Sequence, residues 1–413
     1  MTGVRIVHAA DIHLDSPLRG LSRFADEDLA QHLRLASRRA LENLVKLVVD
    51  KDAQALVLAG DIYDGDWKDY ATGQFFARQM DLLDQHRVRV FMVAGNHDAA
   101  SVVTKAVPLP GNVTVMSTDQ PQLEIDDDLG LAVHGQGFAA RDVHDNLVLA
   151  YPDRVDGLVN VGILHTAVSG AEGHARYAPC APADLERKAY EYFALGHVHT
   201  RRVVNEDHWV AAFSGNLQGR HVNETGPKGA LVVDLAVERK AELSFEPLDV
   251  ARWGQVQVDA TGLRSVDDVY DAVARRLAEE RATTGDRPLL ARVTIIGETA
   301  AAGALSDRVR LTETVRPLAE RTGVTIEKAV SHARAPRSGS RVEERLLDAV
   351  LRRRQELTED LGPVHEMAKM PNRDFGFELR RSGLLDLLDD DALRGITTRA
   401  MDDLLAKMSS EVN

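Results

Sequence analysis

The stretch Val4-Arg-Ile-Val-His-Ala-Ala-Asp-Ile-His13 places a short apolar run directly before a polar pair. This arrangement recurs along the first 250 residues, with apolar runs at 55–59, 88–94, 158–164 and 192–195 that each lead into glycine or polar residues. Helix-like stretches lie between the early runs, at about 26–50 and 69–86. This alternation predicts a layered α/β core whose polar clusters follow the strands, at the sheet edge where α/β proteins place their sites. Three later runs, 210–213, 230–233 and 243–245, have no helices between them and predict antiparallel strands.

The character of the sequence changes near residue 250. The first region, 1–250, carries the polar clusters, and residues 251–334 follow the order strand, helix, strand, helix, strand, which predicts a small α/β unit. Residues 335–340, Ala-Pro-Arg-Ser-Gly-Ser, have the composition of a linker. The remainder, 341–413, is highly charged and predicts helices with two apolar stripes.

Composition narrows the class of protein. The 413 residues are 44% hydrophobic and carry a net charge of −14, so the chain can bury a core but is not an obvious binder of polyanions. An acidic protein that handles nucleic acid needs a local basic patch, bound cations or a cationic partner. The single cysteine, Cys180, excludes an intramolecular disulfide and a cysteine-rich zinc site. We find neither a signal peptide nor an apolar run of membrane-spanning length, and expect no membrane and a cytoplasmic location.

Five polar clusters carry the chemistry of the first region. They are Asp11-Ile-His13, Gly60-Asp61-Ile-Tyr-Asp64, Gly95-Asn96-His97-Asp98, His165 and Gly196-His197-Val-His199. In extended chain, residues two apart project to one face, so the D-x-H and H-x-H pairs can each reach one ion. Mixed Asp, Asn and His ligands without Cys favour Mn²⁺, Fe²⁺ or Zn²⁺. Two such ions sharing a carboxylate can stabilise the attacking and leaving oxygens of a phosphoryl displacement.

In this order the clusters resemble the calcineurin-like metallophosphoesterase superfamily, whose pattern is D-x-H, G-D-x-x-D, G-N-H-[DE], a lone H and G-H-x-H. The resemblance implies a layered α/β/β/α sandwich that binds two divalent metal ions, with Mn²⁺ favoured and Fe²⁺ or Zn²⁺ as alternatives. It also implies that His97 is the acid facing the scissile phosphate, that Asp98 orients or tunes His97, and that Asp64 lies near the site without being a ligand. The implied ligands of one ion are Asp11, His13, Asp61 and His199, and those of the other are Asp61, Asn96, His165 and His197, with Asp61 bridging.

Within that superfamily the chain is similar to the SbcD-type DNA repair exonucleases, on its opening residues and on its order of domains. The segment Gly215-Asn-Leu-Gln-Gly-Arg-His-Val-Asn-Glu-Thr-Gly-Pro-Lys-Gly229 most resembles the YhaO-like branch. The resemblance implies a catalytic domain at 1–250, a capping domain at 251–334 and docking of an SMC-like ATPase of the SbcC/YhaN type through 341–413. One departure is Gly-Asp-Trp-Lys-Asp at 65–69, where the family usually has a Ser- and Pro-rich turn. Asp64, Arg220 and His221 are candidate substrate-binding residues, the last two as contacts to a substrate phosphate, and a homodimer remains open.

Our leading hypothesis is therefore a Mn²⁺-dependent exonuclease or endonuclease that acts on DNA in repair. The net charge of −14 motivates an alternative, a phosphodiesterase or phosphatase of nucleotides or other small phosphoesters. A third hypothesis is a catalytically weak scaffold for an ATPase partner.

Overall fold

A computed structural model of the chain describes residues 3–18, 21–64, 70–100, 107–168, 177–336 and 341–363, together with 390, 394, 395, 397–402 and 404. The described chain divides into two compact units, one formed by Met1–Gly254 with Asp286–Leu290 and the other by Gln255–Gly285 with the residues from Ala291 onward. Our division at 1–250, 251–334, 335–340 and 341–413 stays a prediction. Most of its linker, residues 337–340, and most of 364–413 lie outside the described residues.

The first sheet of unit 1 is mainly parallel. Its parallel strands are β1 (Val4–Ala9), β2 (Ala55–Leu58), β3 (Arg89–Met92) and β4 (Val113–Val115), and the antiparallel pair β11 (Gly229–Leu235) and β12 (Glu242–Pro247) completes one side. The strand order is β12-β11-β1-β2-β3-β4. Alternate residues face opposite cores: Ile6 and Val57 pack towards the second sheet, whereas Val7 and Leu56 pack towards helices. Because both faces are covered, the central strands β1, β2 and β3 are mostly apolar, as the sequence indicated.

The second sheet of this unit also has six strands. They are β5 (Gln122–Asp126), β6 (Leu131–Gly135), β7 (Val159–His165), β8 (Tyr192–Gly196), β9 (Arg202–Glu206) and β10 (Val210–Phe213), in the order β5-β6-β7-β8-β10-β9. Strands β6, β7, β8 and β10 run parallel, so our prediction that 210–213 is an antiparallel strand is wrong for its pairing with β8. The antiparallel neighbour of β10 is β9, which pairs with its other edge. The crossover from β8 to β10 is made by β9 rather than by a helix, which hid the parallel pairing from sequence.

Helices cover the outer face of the first sheet. The helices of this part of the chain are α1 (Glu27–Arg34), α2 (Ala36–Asp50), α3 (Tyr70–Gln85) and the short α4 (Asn96–Ala100), of which α2 and α3 form the covering layer. The Asp26 side chain caps α1 by accepting a hydrogen bond from the backbone of Leu29, and the helix predicted over 26–50 is interrupted at Leu35. Phe76 and Leu44 of these helices are fully buried against β1, β2 and β3. The outer face of the second sheet packs against irregular segments and α5 (Pro182–Glu186), which completes the predicted α/β/β/α layering.

Most of the three-stranded sheet β13-β14-β15, formed by Arg252–Asp259, Leu289–Ile296 and Val324–Ser331, belongs to the second unit. Helices α6 (Val266–Ala282) and α7 (Arg308–Glu320) alternate with these strands, in the predicted order. Ser265 caps α6 with a reciprocal Asp268 contact, and Asp307 caps α7. Helix α8 spans Arg341–Glu359. Within the described residues, none of the helices has the length and apolarity that crossing a membrane requires.

Candidate metal centre

The clusters that follow β1, β2 and β8 begin with sharp left-handed turns. Asp11, His13, Asp61 and His197 adopt φ angles of 52°, 45°, 53° and 99°, a region that costs non-glycine residues free energy. We expected the two side chains of the D-x-H pair to share a face because the chain is extended there. The chain is not extended at these residues, so that reason is wrong. Asp11 and His13 still converge, because the turn is held by backbone hydrogen bonds from Asp11 to Gly60 and from His13 to Asp61, each 3.0 Å long.

Glycines let these turns approach one another. A Cβ added to Gly95 would lie 2.3 Å from Asp61 Oδ1 and 2.9 Å from His165 Cε1. A Cβ at Gly196 would lie 1.9 Å from the carbonyl oxygen of Ala59, and Gly60 has a φ of 91° that other residues rarely adopt. Each of the three glycines is therefore required by contact or by backbone conformation.

Five of the predicted ligands, together with the predicted acid His97, meet in overlapping groups. Three sets each place one ligand atom per residue within 4.8 Å of the others. The sets are Asp11 with His13 and His199, His13 with Asp61 and His97, and Asp11 with Asp61 and His165.

The two remaining predicted ligands lie at the same place. Asn96 Oδ1 is 3.0 Å from His165 Nε2, and the His197 ring packs edge-on against the His165 ring at 5.3 Å between centroids. The backbone N–H of His197 also donates to the Asp11 carboxylate at 3.1 Å. The structure thus brings all seven predicted ligand residues into one cluster.

The donor set fits divalent cations. Asp11 and Asp61 are 1% and 2% exposed, and His13 Nε2 faces His199 Nε2 at 3.2 Å. Among the described residues the buried Nδ1 of His13 has no hydrogen-bond partner. Closely facing imidazole nitrogens beside buried carboxylates are the mixed N and O ligands that Mn²⁺, Fe²⁺ and Zn²⁺ accept.

Burial and neighbouring charges shift the pKa values of side chains in the cluster. Burial lowers the pKa of His13, which favours the neutral imidazole that can bind a metal. Burial alone would raise the pKa of Asp61, but His165 and His13 outweigh it and hold that pKa well below its usual range. Asp61 is therefore an anion at the centre of the cluster, where a bridging ligand is expected.

His97 is paired with Asp64. Its Nδ1 lies 3.0 Å from Asp64 Oδ1, and the Ser16 hydroxyl donates to Asp64 Oδ2 at 2.6 Å. This hydrogen bond to Asp64 raises the pKa of His97, which is 30% exposed in its side chain. Sequence reasoning had assigned the tuning of His97 to Asp98 and had offered Asp64 as a candidate substrate-binding residue.

The Asp98 carboxylate is a hydrogen-bond acceptor for the backbone. It accepts hydrogen bonds from the N–H groups of Tyr63 at 2.9 Å and Gly95 at 3.0 Å, and so ties the second motif to the third. Burial and the charge of Asp61 raise the pKa of Asp98 to about 6. Because Asp98 accepts hydrogen bonds from two backbone N–H groups inside the turn, its side chain is buried although it follows His97 directly in sequence.

Sequence reasoning missed Glu224, which is 5% exposed and contacts the cluster. Its Oε1 lies 2.7 Å from His199 Nδ1 and 3.1 Å from the Arg220 guanidinium. The predicted phosphate contact Arg220 therefore lies at the site with a side chain 19% exposed, and His221 lies beside it, 56% exposed. The sequence feature that could have identified Glu224 is the segment 215–229, in which it is the single acidic residue.

Comparisons with known proteins relate the chain to metallophosphoesterases. Residues 4–201 match the calcineurin-like phosphoesterase family, and residues 253–334 match the middle domain of metallophosphoesterase YhaO. The chain is 28% identical over 276 residues to the uncharacterized metallophosphoesterase YhaO of Bacillus subtilis, covering 66% of this chain and 67% of that protein. It is 25% identical over 275 residues to the SbcD component of the SbcCD nuclease of the same organism, covering 56% and 66% respectively. The SbcD component of the SbcCD nuclease from Staphylococcus saprophyticus is 23% identical over 283 residues, covering 60% and 70%.

Proposed function

We propose that this chain, a calcineurin-like metallophosphoesterase with a YhaO middle domain, is a two-metal phosphodiesterase that cuts DNA. The observation that carries the proposal is the convergence of four separate motif turns and His165 around Asp61. A cation site explains why buried carboxylates and imidazoles from such distant parts of the sequence are packed together.

The proposed ligands divide into two sets. Asp11, His13, Asp61 and His199 would hold one ion, and Asp61, Asn96, His165 and His197 would hold the other. Mn²⁺ is the favoured ion, with Fe²⁺ or Zn²⁺ as alternatives. When bound, such ions act as Lewis acids on a phosphoryl group and lower the pKa of an attacking water.

The chain's own groups supply the proton transfer. His97 is partly exposed, and its Nδ1 is held by Asp64 at 3.0 Å, which leaves Nε2 to donate a proton to the leaving oxygen. Because the Asp64 hydrogen bond raises the pKa of His97, the imidazolium form persists nearer to neutral pH. Ser16 holds the other oxygen of Asp64 at 2.6 Å and so fixes the direction of the His97 ring. Arg220 and His221 are proposed to contact the substrate phosphate.

DNA is the proposed substrate because relatives of this chain are named as nuclease components. An SMC-like ATPase of the SbcC/YhaN type, docked on helices within 341–413, would supply the DNA affinity that a chain of net charge −14 lacks. We further propose a cytoplasmic location and a role in DNA repair. The same net charge favours one alternative substrate class, nucleotides and other small phosphoesters.

The test compares long DNA with bis-p-nitrophenyl phosphate, a small diester, in the presence of Mn²⁺. We expect wild-type protein to degrade DNA and His97→Ala to lose about 10²- to 10⁴-fold in kcat, because a positioned acid contributes that much. His208→Ala, which removes a histidine that is 76% exposed and pairs with Glu186, is the matched control and should cut normally.

Each outcome separates the hypotheses. Turnover of the small diester alone would favour the alternative substrate class over DNA. Absence of turnover on either substrate, with two ions bound, would favour a scaffold over an enzyme. DNA cleavage by His97→Ala at the wild-type rate would refute the acid assignment.

A further inference from the structure

Both carboxylate oxygens of Glu224 have hydrogen-bond partners beside the cluster of proposed metal ligands. Its Oε1 contacts His199 Nδ1 at 2.7 Å and the Arg220 guanidinium at 3.1 Å. Its Oε2 accepts from the side-chain amide of Asn216 at 3.0 Å and from the backbone of Arg220 at 2.7 Å. A buried carboxylate with four donors is fixed in place, so it can in turn fix whatever it contacts.

The contact with His199 determines which ring nitrogen faces the cluster. The Arg220 guanidinium, which can only donate, also lies 3.2 Å from His199 Nδ1, but the Glu224 contact to that nitrogen is shorter at 2.7 Å and Arg220 has Glu224 Oε1 as its own acceptor. Because a carboxylate can only accept, we assign the proton of His199 to Nδ1, which donates it to Glu224. The His199 Nε2 then presents its lone pair towards His13 Nε2, 3.2 Å away, and lies 3.9 Å from Asp11 Oδ1. This is the orientation that a metal-ligating histidine requires.

The backbone of His199 is held by the same segment. The buried ammonium of Lys228 donates to the His199 carbonyl oxygen at 2.9 Å, and the backbone N–H of Asn216 donates to it at 3.3 Å. Residues 215–229 therefore fix His199 at both its ring and its main chain. By contrast, His165 is oriented through a main-chain carbonyl, that of Ala59 at 2.9 Å.

We propose that Glu224 is a positioning residue that sets the tautomer and direction of His199 for metal binding, with Lys228 holding the main chain. The proposal rests on the proposed metal site, and it assigns a function to the 215–229 segment beyond any contact with substrate. The role is specific to one of the two ions, because His199 belongs to one ligand set.

The experiment measures metal binding rather than turnover. Wild-type protein, Glu224→Ala and Glu224→Gln are titrated with Mn²⁺, with the bound metal counted by mass spectrometry and the coupling of the two ions followed by electron paramagnetic resonance. We expect Glu224→Ala to bind one ion about 10- to 100-fold more weakly, the usual effect of losing such a partner. The coupled two-ion spectrum should give way to that of a single ion. Glu224→Gln keeps one acceptor oxygen for His199 Nδ1 and should lose less affinity.

Glu191→Gln is the matched control. Glu191 is also 5% exposed, and it accepts hydrogen bonds from the backbone N–H of Asn160 at 2.8 Å and from Arg154 at 3.1 Å. It lies at the opposite end of β8 from His197, because it precedes that strand and His197 follows it. It should bind both ions with wild-type affinity even if its stability falls. If Glu224→Ala does not fold, Glu224→Gln carries the test.

Wild-type affinity for both ions in the folded Glu224 variants would overturn the proposal and leave the metal site standing. Failure of the wild-type chain itself to bind two ions would overturn the metal site and this proposal together.

Discussion

Replacing Gly95 by alanine adds one methyl group at the point where the second and third motifs touch. The new Cβ would stand 2.3 Å from Asp61 Oδ1, 2.7 Å from the Asp61 backbone nitrogen and 2.9 Å from His165 Cε1. All three atoms belong to buried residues, so no flexible chain end can move aside. To reach an ordinary contact of 3.4 Å, the Asp61 oxygen must retreat by about 1.1 Å, the difference between 3.4 and 2.3 Å.

A retreat of this size displaces the proposed bridging ligand. Misplacement by about 1 Å costs roughly 10²-fold in rate, and overpacking a rigid site costs about 1–3 kcal/mol of folding free energy. We therefore expect Gly95→Ala to lose about 10²-fold in kcat on bis-p-nitrophenyl phosphate and to retain less Mn²⁺ after dialysis. Gly111→Ala is the control, because a Cβ at Gly111 meets nothing within 4 Å. Full activity and full metal content in Gly95→Ala would refute the steric argument.

Two further changes test other parts of the molecule. Asp64→Asn replaces the carboxylate that raises the pKa of His97 by a neutral amide, so His97 should lose its proton at lower pH, and the alkaline limb of the pH–rate profile should move to lower pH. An unmoved limb in Asp64→Asn would show that His97 is not the acid whose ionisation limits the rate. Phe91→Ala empties a position 1% exposed between the two sheets and should lower the free energy of unfolding by about 3–5 kcal/mol in urea titrations. A loss below about 1 kcal/mol would mean that the sheets do not pack there as described.

The layered fold and the membership of the metal cluster could be predicted because both depend on patterns that repeat along the chain. Apolar runs such as 55–59 are buried on both faces, and the residue after each run lies at the end of a strand. Parallel strands carry those ends to one edge, so Asp11 and Asp61 had to lie close together.

The contacts within the cluster could not be predicted, because they depend on turn geometry and on residues distant in sequence. Asp98 is adjacent to His97 in the chain, yet the short helix α4 directs its carboxylate to backbone donors, and Asp64 contacts the imidazole instead. Glu224 lies 25 positions from His199, and no spacing rule links them. The left-handed turns at Asp11 and His197 likewise require the neighbouring loops that hold them.

The most direct test of the account is the anomalous scattering of crystals grown with Mn²⁺. We expect two manganese peaks, one on either side of Asp61 and about 3.5–4 Å apart, as in two-metal sites. A single peak remote from Asp61, or two peaks that share no carboxylate, would contradict the central claim.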